Sequence, residues 1–244
     1  MHAVATPGPP RQLHTPWTLL LLLLVAADLA FIVLHVLYIE TDLLRGRPFS
    51  LEADNGMPEA FQYVKQFWVV LCMVVLFRGT RAVVYIGWGL VFTFLLMDDA
   101  FQWHEQFGKW LAAQYTLPVM FGLRPDDIGE LLFAATMGGT MVVLIGLGFW
   151  RSDADARVFS RDMAILVALL GALGVGVDVL HVISYFNAPM LAQYLLIFED
   201  GGEMLVVSGM VAYAANVLNH QGRPTVDLWA ITKSAFSRTR RAAS

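Results

Sequence analysis

Apolar runs longer than a soluble domain needs decide what this chain can fold into. The first extends from about Trp17 to Tyr38, through Thr18-Leu-Leu-Leu-Leu-Leu-Leu-Val-Ala-Ala and on through Phe31-Ile-Val-Leu. That is well beyond the length of a signal-peptide core, so it reads as a retained anchor. Further runs follow from Pro58 to about Phe77, from Ala82 to about Trp103, from the Asp126 region to Trp150, from about Met163 to Tyr185 and from about Leu191 to Leu218. A helix is expected to continue past the third run to Tyr115. In hydrocarbon only helices and closed barrels satisfy their own backbones, and unbroken runs of this length choose helices. The expected fold is an all-α polytopic bundle of about six transmembrane helices, a single domain over residues 1–244. Residues 1–16 form a flexible N-terminus and 222–244 a basic tail. Composition agrees, at 57% hydrophobic and 15% charged against roughly a quarter charged in soluble domains.

Basic residues set the orientation, because short cytoplasmic loops carry the excess of Lys and Arg. Of 16 such residues, Lys65 lies inside a span, and Arg45, Arg47, Lys109 and Arg124 fall on one side. The other eleven (Arg11, Arg78, Arg81, Arg151, Arg157, Arg161, Arg223, Lys233, Arg238, Arg240 and Arg241) fall on the opposite side. Both termini are therefore expected in the cytoplasm of a bacterium, in its inner membrane. The tail from Thr225 mixes Leu228, Trp229, Ile231 and Phe236 with basic residues and reads as an interfacial segment for anionic lipid, or as a frayed basic end. The formal net charge of −4 and the lack of a basic, aromatic-interleaved patch speak against nucleic acid. The single cysteine, Cys72, excludes an intrachain disulfide, a CxxC redox pair and CxxCH haem attachment.

The polar residues of the spans are not scattered. His35, Asp98, Asp99, His104, Glu105, Asp178, His181, Glu199, Asp200 and Glu203 all lie toward the non-cytoplasmic ends, on four helices. At 1.5 Å per residue, Asp178 and Glu199 sit at similar depths, roughly 10 and 12 Å from the outer ends of their spans. Asp98, Gln102 and Glu105 share a face, as do Asp178 with His181, Asp200 with Glu203, and Glu199 with Glu203. Carboxylates and a His three apart on facing helices are how bundles build di-metal carboxylate sites, although the Asp178-Val-Leu-His181 pattern occurs once rather than twice. His104 lies off the Asp98 face and joins it only if the helix rotates or breaks between them.

Charge compensation sharpens the case. Asp98, Asp99, Asp178 and Asp200, ionised and unpaired, would cost up to about 10–14 kcal/mol. Lys65, the one intramembrane base, cannot balance them all. Either several are protonated, or one or two divalent ions supply the charge, and His with carboxylate suits Fe, Mn or Zn. The expected metal ligands are His104, Glu105, Asp178, His181, Glu199 and Glu203, with Asp98, Asp99 and Asp200 as supporting or proton-carrying groups. Plainer readings attach to other residues. His35 reads as a helix-end histidine bonded to Glu40; Asp126, Asp127 and Glu130 as helix capping; Trp17, Trp103 and Trp150 as interfacial; Gly171, Gly174, Gly176, Gly201 and Gly202 as close packing.

Leu96-Met97-Asp98-Asp99 with His104-Glu105, Phe198-Glu199-Asp200 with Glu203-Met204, and the loop Phe49-Ser-Leu-Glu52 before Asn55-Gly-Met-Pro58 resemble a set found in uncharacterised bacterial polytopic membrane proteins. That resemblance implies no activity, only that these acids and His104 belong together. A weaker resemblance is to membrane hydrolases of the ceramidase and adiponectin-receptor kind, which hold zinc with three His; their paired His-x-x-x-His is missing here. The functional expectation is a metal-dependent hydrolase or oxidase facing the periplasm and acting on a lipid-like substrate that enters laterally. Two alternatives are a proton- or cation-coupled carrier and an accessory subunit of a larger energy-converting complex, with another membrane protein or a second copy as partner.

Overall fold

A computed structural model describes residues 16–41, 44, 47–53, 56–119, 122–185 and 188–234. The elements are α1 (Pro16–Glu40), a 3-10 turn at Arg47–Phe49, α2 (Met57–Thr80), α3 (Val84–Phe101), α4 (Trp103–Gln114), α5 (Pro125–Trp150), α6 (Ala154–Gly171), a π-helical segment (Ala172–Val177), α7 (Asp178–Tyr185) and α8 (Pro189–Asn219). A last helical stretch covers 228–234. The chain is an all-α membrane bundle, and among the described residues 5 helices are long and apolar enough to cross a bilayer. These are α1, α2, α3, α5 and the continuous rod 154–184. At 31 residues α8 has the length, but its acids and asparagines lower its hydropathy. It can carry them because it sits inside the bundle, packed by α1, α2, α6, α7 and the π segment.

Helix ends follow local chemistry. Pro58 starts α2, which stops at Arg81 in the left-handed region with its N–H on Phe77 O. Asp153 caps α6 by accepting from Ala156 N at 2.9 Å. Asp127 accepts from Arg124 N at 2.7 Å and from the Arg124 guanidinium at 2.8 Å at the head of α5, a capping role that its position suggested. The third apolar run does not continue unbroken into the loop. Gln102 takes φ 52, ψ 44 and separates α3 from α4, which re-aims everything after it.

The apolar core lies between α2, α3, α6 and α8, with Val69, Met73, Tyr85, Phe92, Phe159, Met163 and Met210 all fully buried. Phe159 stacks on Tyr213 and meets Tyr85. Without a hydrophobic driving force in lipid, such interdigitation and close backbone approach hold the helices. Gly201 abuts Ile32 of α1, and Gly202 abuts Leu173. Gly174 lies against Glu203, whereas Gly171 and Gly176 face open space and pack against nothing. The expectation of close packing is therefore corrected for those two. On the outside, α5 leaves nearly all of its apolar stretch unburied by the bundle. It packs along α3 and α4, meets α6 only slightly, and has no substantial contact with α7 or α8 among the described residues.

One intramembrane acid went unremarked in the sequence. Asp28, midway along α1, pairs with Lys65 at 2.7 Å with both side chains fully buried. Lys65 also donates to Met204 O at 2.8 Å and to Ser208 Oγ at 3.2 Å, and Ser208 donates to the other Asp28 oxygen. This corrects the assignment of Lys65 as partial counter-charge for the outer acids: it is wholly committed elsewhere.

Candidate functional site

Above the Asp28–Lys65 pair, toward the outer ends, a cavity of about 310 Å³ opens between α2, α3, α4, α7 and α8. Its wall includes Asp99, His104, Glu105, Asp178, His181, Glu199, Asp200 and Glu203, all of the expected ligands and supporting groups except Asp98. Leu51, Glu52 and Ala53 of the first loop also line it. His35, 2% exposed, positions that loop by accepting from Leu51 N at 3.1 Å. His35 is thus a satisfied histidine, as expected, but its partner is the loop backbone and not Glu40.

Local backbone features aim the side chains. The π segment ends at Val177 and hands over to α7 at Asp178; such turns shift the register of whatever follows. Asp178 and His181 then face Glu199 across the α7–α8 contact, with His181 Nδ1 at 3.9 Å from Glu199 Oε2. One ligand atom from each of Asp178, His181 and Glu199 falls within 4.8 Å of the others. An ion at about 2.0–2.2 Å from each would set its ligands no more than roughly 4.4 Å apart, so little contraction is needed.

The other expected ligands are held differently. Glu203 accepts from Gln62 Nε2 at 3.3 Å and lies against Gly174, where any Cβ would overlap its Oε1. Glu105 is half-buried and bridged to Lys109 at 2.6 Å. His104 turns back to Asp98, its N–H 3.0 Å from Oδ1 and its Nδ1 3.2 Å from Oδ2. The break at Gln102 permits that contact. The Asp98 hydrogen bond pulls the His104 imidazole up from its ordinary value. Asp99 accepts from Gln66 Nε2 at 2.6 Å, and its backbone carbonyl from Tyr63 Oη at 3.2 Å. Asp200 lines the cavity without joining the three-residue cluster.

Sequence reasoning missed Gln62, Gln66 and Tyr63. All three lie on α2, with Gln66 four residues from Gln62 and three from Tyr63, and that periodicity facing the acids was the available signal. It also missed that Glu105 precedes Lys109 by four, the spacing of a helix-surface ion pair.

No curated protein and no solved structure matches this chain. A family model described as a domain of unknown function matches residues 17–217, which takes in every helix of the bundle core and all of the cavity acids. The chain belongs to that family, DUF8692.

Proposed function

We propose that this multi-pass membrane protein is a metal-dependent enzyme of the bacterial inner membrane, hydrolytic or oxidative, acting on a lipid-like substrate from the periplasmic side. The observation that carries the reading is the convergence of Asp178, His181 and Glu199 from two helices onto one point. Among the described residues the basic side chains near it are already paired: Lys65 with Asp28, Lys109 with Glu105 and Arg124 with Asp127. One His with two carboxylates suits Fe, Mn or Zn. Three protein ligands leave positions for water or substrate, and an ion there supplies Lewis acidity or an activated water. Asp200 and Glu203, in the same wall, stand ready to take a proton released in the cavity. The excess of basic residues on the opposite face orients the site outward.

The test is elemental analysis of the purified protein beside His181→Asn and Glu199→Gln. The reading expects about one equivalent of a transition metal in the wild type and its loss in both variants. A metal-free wild type that folds normally after growth and purification with added Fe, Mn and Zn would overturn it.

A further inference from the structure

The acid cavity is the end of something larger. A second cavity of about 1070 Å³ shares Gln62, Asp99, His104, Glu199, Asp200 and Glu203 with it. From there it runs alongside α5 from Asp126 to Phe149. At 1.5 Å per residue that is roughly 35 Å, the thickness of a bilayer's hydrocarbon core and slightly more. Beyond the acids the walls are largely apolar, with Trp88, Phe94, Phe133, Met137, Met141 and Val167 among them and Ser160 and Arg161 as polar exceptions. The groove exists because α5 leans on α3 and α4 and leaves α7 and α8 uncovered. Gly138, Gly146 and Gly171 line it, and a Cβ on any of them would meet nothing within 4 Å. Packing against a neighbouring helix does not explain these glycines.

Two buried acceptors at the acid end lack donors. Gln62 is 8% and Gln66 2% exposed. Each donates its amide nitrogen to a carboxyl oxygen, of Glu203 and Asp99 respectively. Their carbonyl oxygens have no hydrogen-bond partner among the described residues. A buried acceptor left unmet is unfavourable by about 1–3 kcal/mol, so two in one wall point to an occupant that donates. We propose that the groove binds a single-chain amphiphile with an ammonium head, the tail along α5 and the head beside Asp99, Asp200, Glu203, Gln62 and Gln66. An ammonium brings three donors, no acceptor and a positive charge opposite to that of the acids. A phosphate or carboxylate head brings acceptors only and the wrong sign.

This deepens the lipid-substrate reading and rests on it, but not on the metal. The test is therefore run on full-length protein treated with chelator in an uncharged detergent, using native mass spectrometry with hexadecylamine, hexadecanol and hexadecyl phosphate as probes. The expected result is one amine per chain, held at least tenfold more tightly than the phosphate. Glu203→Gln should shrink that preference several-fold, and Gly138→Phe, which fills the groove, should weaken all three probes. Equal affinity for the three heads, a preference for phosphate, or undiminished binding in a folded Gly138→Phe protein would each overturn the proposal. Metal content measured on untreated protein fails or succeeds independently, so the loss of one reading is distinguishable from the loss of the other.

Discussion

Replacing Lys65 by Met tests how the middle of the bundle is held. The ammonium is fully buried and makes three bonds, to Asp28, Met204 O and Ser208 Oγ. Removing it leaves a carboxylate in the bundle interior with Ser208 as its remaining side-chain partner. Breaking a buried pair from one side costs about 3–5 kcal/mol, whereas replacing both members by apolar residues of similar size is often neutral or favourable. Lys65→Met should therefore destabilise by about 3–5 kcal/mol. Lys65→Met combined with Asp28→Leu should recover at least about 2 kcal/mol of that loss. Reversible unfolding in mixed micelles, followed by helical circular dichroism, measures both. A Lys65→Met protein within about 1 kcal/mol of wild type, or a double variant as unstable as the sum of the singles, would refute the reasoning.

Other substitutions probe the cavity and its surroundings. Gly174→Ala drives a methyl into Glu203 and should destabilise by about 1–3 kcal/mol, while Gly176→Ala, facing open space, should be neutral or slightly stabilising; melting temperatures of the two decide. Asp162 is fully buried, accepts from Tyr213 and caps the stretch 228–234 through Leu228 N and Trp229 N. Asp162→Ala should free that stretch, seen as faster limited proteolysis near Trp229, at about 1–3 kcal/mol of overall stability. Because Asp98 raises the His104 value, their pair contributes fully below the ordinary His value near 6.5 and fades as pH rises through the elevated one. With His104 over a third exposed, the effect should be below about 1 kcal/mol. A stability–pH curve should show a small alkaline loss that His104→Gln abolishes.

The spans were legible because a bilayer imposes length and hydropathy on every segment that crosses it. What was hidden depended on which neighbour each side chain meets. Asp28 was passed over inside a leucine-rich run, although one acid in α1 and one lysine in α2 were a pair waiting to be matched. The layer of outer acids could be read from depth and face, yet nothing in the sequence separated Asp178, His181 and Glu199 from Glu105 and His104. The kink at Gln102 and the π segment before Asp178 made that separation. Both are backbone choices that tertiary packing selects over ordinary helix continuation. The groove beside α5 was equally invisible, since it exists only in the space between helices that do not touch.

The central claim is that one ion is held by Asp178, His181 and Glu199, and X-ray absorption at the metal's own edge tests it most directly. The account predicts a first shell of oxygen and nitrogen at about 2.0–2.2 Å with the outer-shell scattering of one imidazole, and the disappearance of that imidazole signal in His181→Asn. A bound metal whose shell contains two or more imidazoles, or sulfur, or is unchanged by His181→Asn, would contradict it.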